Sequence, residues 1–130
     1  MTDRELISMA FSAMENSYSP YSRFPVGAAI ECSDGTVFTG CNIENAALGS
    51  TVCAERVALF TAVAAGRRSF RRIAITSNGS SYCYPCGSCR QVLAEFAPEI
   101  EVLCSRADGR YVSYRLNSLL PLAFTSASTE

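Results

Sequence analysis

Three thiols and one acid carry the chemistry that this chain's residue types and spacing suggest most directly. They lie in two stretches, Cys53-Ala54-Glu55-Arg56 and Pro85-Cys86-Gly87-Ser88-Cys89-Arg90, and each stretch reads as the first turn of a helix. The 130 residues include no histidine, so a transition-metal site here must be built from Cys, Asp and Glu. Soft thiolates at tetrahedral spacing point to zinc. A structural zinc site closes its shell with four protein ligands, whereas a catalytic one keeps a position for water. Three cysteines beside a carboxylate that is free to move protons fit the second case.

The spacing has a physical logic. Unpaired N–H groups and the positive dipole end at a helix N-terminus stabilise thiolates and lower their pKa. Cys86 and Cys89, one turn apart, can grip a single metal, and Cys53 supplies a third ligand once the two helix ends meet. Three thiolates overcompensate the charge of a dication and weaken it as a Lewis acid. Arg56, three residues after Cys53, can donate hydrogen bonds to thiolate sulfur and restore the acidity of a bound water. Glu55, two residues from a ligand, can sit beside the metal without coordinating it and carry a proton from that water.

Other readings of the same residues stay open on spacing alone. A lone Cys-x-x-Cys is also a redox motif or half of a structural zinc site. Cys83-x-x-Cys86-x-x-Cys89 offers a fourth thiol, but Cys83 precedes Pro85 in the turn before the helix and reads as a bystander. Cys32, Cys41 and Cys104 fall on expected strands, where small buried cysteines are common.

The elements that must position these groups follow from the pattern. Thr2 and Glu5 have capping-box spacing before an apolar stripe of Leu6, Ile7, Ala10, Phe11 and Met14, which predicts a first helix. Residues 16–25 form a loop broken by Pro20 and Pro25, with Tyr18, Tyr21 and Phe24 as aromatics that can cover the core or stack on a flat ligand. Residues 26–32 and 36–41 form a hairpin across Ser33-Asp34-Gly35, and 42–50 is polar and irregular. A helix starts at Val52 or Cys53, runs to Ala65 and stops at Gly66. From Val57 to Ala65 it is apolar on nearly every face, so it is expected to be covered inside the domain or at a subunit interface.

A strand over 72–77, a turn at 78–81 and a helix over 86–96 opened by Pro85 come next. Strands at 101–105 and 111–114 and a short helix at 116–120 follow, with a frayed tail from Thr125. The order αββαβαββ predicts an α/β fold, a three-layer α/β/α sandwich with a mixed sheet of about five strands. One domain is expected over 1–130.

Composition excludes several classes. Eleven arginines, no lysine and twelve acids leave a net charge of −1, and the arginines are scattered apart from Arg67, Arg68, Arg71 and Arg72, so no basic face for polynucleotide is evident. Seven cysteines is an odd number, and the first residues lack the regions of a signal peptide. A reduced, cytoplasmic protein is expected rather than a disulfide framework. No apolar run approaches the ~18 residues needed to cross a bilayer.

Cys-Ala-Glu followed by Pro-Cys-x-x-Cys is similar to the three-cysteine form of the zinc deaminase signature. Nearly the whole chain resembles the small homotetrameric cytidine deaminases. The matching stretches are residues 18–29 (YSPYSRFPVGAA), 40–46 (GCNIENA), 53–56 (CAER), 85–91 (PCGSCRQ) and 119–124 (LLPLAF). The resemblance implies one zinc per subunit on Cys53, Cys86 and Cys89, with Arg56 behind them. It implies hydrolytic deamination of free cytidine and deoxycytidine, with a zinc-activated hydroxide attacking C4. Glu55 would shuttle protons and hold the ring nitrogen. Asn42 and Glu44 would take the ribose 3′-hydroxyl as donor and acceptor, Phe24 would pack on sugar or base, and Ala54 would touch the substrate. Phe124 would close over the base in a tetramer whose pockets borrow residues from neighbours.

The chain departs from the family pattern in having Leu48 where an aromatic is usual and Ser88 where Ala is common. Leu48 puts one contact near the site in doubt. The runner-up functions are a deaminase for a blasticidin-type antibiotic, where the Asn42-Ile43-Glu44-Asn45 segment is not expected, and a zinc-stabilised binding module without catalysis, which has no need of Glu55. Editing of polynucleotide would need a phosphate-tracking basic groove, which Glu44 and the net charge argue against.

Overall fold

Thr2 caps the first helix, α1 (Asp3–Met14), accepting a hydrogen bond from the Glu5 backbone N–H at 3.1 Å. Its apolar stripe turns Leu6, Ile7 and Ala10 inward. The computed structural model describes residues 1–129, and α1 packs there on one face of a five-stranded sheet ordered β2-β1-β3-β4-β5. The strands are β1 (Val26–Cys32), β2 (Val37–Cys41), β3 (Phe70–Ser77), β4 (Glu101–Ser105) and β5 (Tyr111–Arg115). Only β3 and β4 run parallel, joined through α3 (Gly87–Phe96); the other neighbours are antiparallel.

Two glycines set how closely the helices approach. A Cβ on Gly27 would lie 2.0 Å from the Ala10 carbonyl oxygen, so α1 rests directly on the backbone of β1. On the opposite face a Cβ on Gly40 would lie 2.5 Å from the Ala58 nitrogen and 2.6 Å from the Ala54 oxygen, so α2 (Ala54–Ala64) rests on β2. Alternation along the strands then splits the core. Ala29, Ala74 and Leu103 face α1, while Ala28, Ile30, Ile73, Ile75 and Val102 meet α2, α3 and the short α4 (Leu116–Leu119). The result is the expected three-layer α/β/α arrangement with a mixed sheet.

Several boundaries differ from the sequence reading, for local reasons. The register shifts after Glu31 and lets Cys32 pair with Phe70, so β3 begins two residues earlier than expected. Thr36 belongs to the hairpin turn rather than to β2: its N–H donates to the Asp34 carboxylate at 3.0 Å. Leu48–Ser50 forms one 3₁₀ turn inside the segment expected to be irregular, and Ser126–Thr129 forms another where a frayed tail was expected. Cys53 and Cys86 are the N-caps of α2 and α3, with extended ψ of 154° and 164°, rather than their first helical residues.

The apolar α2 is covered on one side only. Ala54, Glu55, Ala58, Leu59 and Ala62 are buried, whereas Phe60 is 46% exposed and Ala64 also faces outward. Gly66, at φ 93°, ends the helix. Among the described residues, no helix is long and apolar enough to cross a membrane.

Register also gathers one end of the sheet. Val26 pairs with Ser77 and Gly27 with Cys41, so the start of β1 and the ends of β2 and β3 lie together. The chain leaves β2 into Asn42–Glu44 and leaves β3 toward Cys83 and Cys86.

Candidate active site

The mouths of α2 and α3 bring the three predicted thiols into one cluster. Cys53, Cys86 and Cys89 place their sulfur atoms within 4.8 Å of one another, a metal-ligand grouping among the described residues. The Cys53–Cys86 separation is 3.8 Å and the Cys86–Cys89 separation 3.4 Å. Tetrahedral zinc with bonds of about 2.3 Å to sulfur sets neighbouring sulfurs about 3.8 Å apart, so the donor set fits that ion in type and spacing. All seven cysteines are free. The thiol pKa of Cys53 is lowered, first by the Cys89 thiol and then by Arg56, despite burial acting the other way. The Cys89 pKa is raised, first by its bond to Cys53 and then by burial.

Arg56 stands where the sequence placed it. Its Nη2 donates to Cys53 Sγ at 3.3 Å and to the Thr51 carbonyl at 3.4 Å, and its buried Nε has no partner among the described residues. A guanidinium held against a thiolate offsets the negative charge that three such ligands bring.

Glu55 occupies the first turn of α2 and is only 4% exposed. Burial, assisted by the neighbouring Cys53 thiolate, raises its carboxyl pKa to about 7. An acid whose pKa lies near neutrality gives up and takes back a proton with equal ease, which suits a general acid/base. Cys83 is different. Burial pushes its thiol up to about 11, and it stands outside the three-sulfur cluster. It lines the cavity wall.

The cavity above these groups measures about 250 Å³ and is lined by Phe24, Asn42, Glu44, Ala54 and Glu55 together with Cys53 and Cys86. One wall is a small network. Glu44 Oε1 accepts from the backbone N–H groups of Tyr21 at 2.9 Å and Ser22 at 3.0 Å, and the Ser22 hydroxyl donates to Oε2. These donors, the Ser22 hydroxyl foremost, hold the Glu44 carboxyl below its ordinary pKa. Asn42 is braced as well: Oδ1 accepts from the Val26 N–H at 2.9 Å and from the Ser17 hydroxyl, while Nδ2 donates to the Phe24 carbonyl at 2.8 Å.

Phe124 is not part of this wall. It is 64% exposed and does not line its own chain's cavity, although Gln91 Nε2 holds its carbonyl at 2.7 Å. Leu48, 67% exposed, is also absent from the lining. Conversely, Ser22, Val26, Thr51 and Tyr84 line the cavity and were not singled out as site residues from the sequence. Ser22 belongs to the motif stretch containing Phe24, and Tyr84 stands two residues before Cys86, so proximity was their only signal. A larger cleft of about 600 Å³, lined by Arg68, Phe96 and Arg115 among others, lies at the far end of β3 and holds none of these groups.

Residues 1–104 match the family model described as the cytidine and deoxycytidylate deaminase zinc-binding region. Cytidine deaminases from Sporosarcina psychrophila and Halalkalibacterium halodurans are 44% and 47% identical to the chain over 126 residues each. Those alignments cover 96% and 95% of this chain and 93% and 96% of the relatives. The crystal structure of cytidine deaminase from Burkholderia pseudomallei superposes with a TM-score of 0.93 at 46% identity, covering 95% of this chain and all of that one. Blasticidin-S deaminase from Bacillus cereus is a lesser match, 30% identical over 95% of this chain and 92% of its own. With its three thiols, its acid and its sheet in this arrangement, the chain belongs to the cytidine and deoxycytidylate deaminase family.

Proposed function

We propose that the chain hydrolytically deaminates free cytidine and deoxycytidine to uridine and deoxyuridine, with 1–130 acting as one catalytic domain. The observation that carries this reading is the juxtaposition of three converging thiols with a buried acid of pKa about 7 at the floor of a nucleoside-sized cavity. Cys53, Cys86 and Cys89 would hold zinc, which when bound activates water for attack at C4 of the base.

The chain's own residues do the rest. Glu55 takes one proton from the attacking water and gives it to the ring nitrogen, which keeps it in the product. It then takes the second proton, from the new C4 hydroxyl, and gives it to the leaving amino group, so that ammonia departs neutral. Arg56 keeps Cys53 as thiolate. Ala54, with no side chain beyond Cβ, leaves room for the flat base beside Glu55. Phe24 packs against the sugar or base, and Asn42 and Glu44 bind the ribose hydroxyl. Glu44 also makes the sugar end unfavourable for a 5′-phosphate, because added negative charge there meets a carboxylate already fixed in place.

The enzyme works as a cytoplasmic homotetramer in this reading. The outward face of α2, with Phe60 uncovered, and the exposure of Phe124 outside its own chain's cavity support that assembly, in which Phe124 would serve a neighbour's pocket. Incubation with cytidine should release one ammonia per uridine formed, in step with zinc content. Turnover of blasticidin S without turnover of cytidine would replace this reading with the antibiotic-deaminase one, and absence of both would leave a zinc-stabilised module.

A further inference from the structure

We propose that Ser22 is a positioning residue for sugar recognition: its hydroxyl sets the one acceptor direction through which Glu44 reads a nucleoside hydroxyl. The inference rests on the reading of Asn42 and Glu44 as the sugar end of the pocket, and it goes beyond that reading by assigning who aims them.

Counting hydrogen-bonding capacity leads to this role. A carboxylate offers about four lone-pair directions. On Glu44 two are taken by the Tyr21 and Ser22 N–H groups at 2.9 and 3.0 Å, and a third by the Ser22 hydroxyl. Among the described residues one direction remains, on Oε2. Asn42 has both lone pairs of Oδ1 occupied, by Val26 and Ser17, and one of its two amide hydrogens given to the Phe24 carbonyl. One hydrogen remains. The pair therefore presents one acceptor and one donor, which is the complement of a single hydroxyl group.

Ser22 is the part of this network that reaches both walls. While donating to Glu44, its Oγ accepts from the Phe24 N–H at 3.0 Å. The turn between them places Arg23 at φ 56°, in the left-handed region that non-glycine residues avoid. One side chain thus ties the carboxylate's orientation to the loop that presents Phe24. Without it, Oε1 would keep its two backbone donors, but the carboxylate plane would lose one of its three restraints and Oε2 would offer two directions instead of one.

The test compares Ser22→Ala and Ser22→Thr with the parent on cytidine and on 3′-deoxycytidine, measuring kcat and KM separately. Ser22→Ala should lower kcat/KM for cytidine about tenfold, the size of one lost hydrogen bond to a charged group, mostly through KM. Its kcat/KM for 3′-deoxycytidine should change less than about twofold, because that nucleoside has no hydroxyl to read. Ser22→Thr keeps the hydroxyl and should restore cytidine. An equal loss on both nucleosides would show a merely structural serine and overturn the inference, as would an undiminished Ser22→Ala enzyme. A parent that deaminates cytidine without preferring it over 3′-deoxycytidine would remove the sugar-end reading, and this inference with it, while leaving the activity intact. A parent inactive on cytidine would remove the proposed function itself.

Discussion

Cys53 and Cys86, 33 residues apart in the chain, bring their sulfur atoms to 3.8 Å of each other as N-caps of two separate helices. Cys86 Sγ accepts the Cys89 backbone N–H at 3.4 Å, and Cys53 Sγ accepts from the Arg56 guanidinium at 3.3 Å.

Replacing Cys53, Cys86 or Cys89 by alanine should therefore abolish stoichiometric zinc, measured by atomic absorption on purified protein. Cys83→Ala should keep about one zinc per chain, since its thiol is protonated and outside the cluster. Zinc loss in the Cys83 variant would instead mean a four-thiolate site.

Glu55→Gln preserves shape and removes the titrating group. It should retain zinc and thermal stability while kcat falls by roughly 10²–10⁴, the usual range for losing a positioned general acid/base. Near-full turnover by this variant would assign the proton transfers elsewhere.

Gly40→Ala tests the contact between β2 and α2. The added methyl meets backbone atoms of Ala54 and Ala58 at 2.6 and 2.5 Å, and backbone cannot swing aside. Destabilisation of about 1–3 kcal/mol is expected, as for overpacked cores. Activity should fall as well, because the displaced turn carries Glu55; urea unfolding and kinetics on the same preparation check both.

The buried Glu31 bonds Arg72 through both carboxylate oxygens, at 2.8 and 3.0 Å, and Arg72 also reaches Asp3 at 2.7 Å. The Arg72 hydrogen bond lowers the Glu31 pKa in the folded state. A depressed carboxyl contributes stability that is fully present above its unfolded pKa, about 4.3, and is lost as pH falls through the folded value. Unfolding free energy should thus decline below about pH 4.3. Glu31→Gln should cost about 1–3 kcal/mol at pH 7 and flatten that acid limb. Parallel acid limbs for parent and variant in urea titrations would remove Glu31 from the account.

Sedimentation at micromolar concentration should give about four times the chain mass. Truncation before Phe124 should raise the Michaelis constant for cytidine more than it lowers the unfolding temperature. A fully active monomer would contradict both the shared pocket and the role assigned to the uncovered face of α2.

The thiols and Glu55 were legible in the sequence because metal binding restricts residue type and helix starts restrict spacing. The layers were legible because strand and helix periods rarely mimic each other over such lengths. Other features depend on contacts that no local pattern encodes. Ser22 and Thr51 reach the cavity only because Val26 pairs with Ser77 and Gly27 with Cys41. The start of β3 was hidden because Phe70 pairs through a register shift at Glu31 and Cys32. Phe124 lies in a motif, but its neighbourhood in the sequence says nothing of its standing outside its own chain's cavity.

The convergence of Cys53 with Cys86 and Cys89 also makes any metal held there a staple. Bridging residues 33 apart shuts a loop in the denatured chain, and a chain-entropy model assigns a cross-link of that span roughly 3–4 kcal/mol. The closed loop contains all of α2 and β3, the helix that bears Glu55 and the central strand of the sheet. Chelation would therefore act as a loosening of the scaffold as well as a loss of chemistry, and a metal-stripped preparation is a partly unfastened protein rather than an idle enzyme.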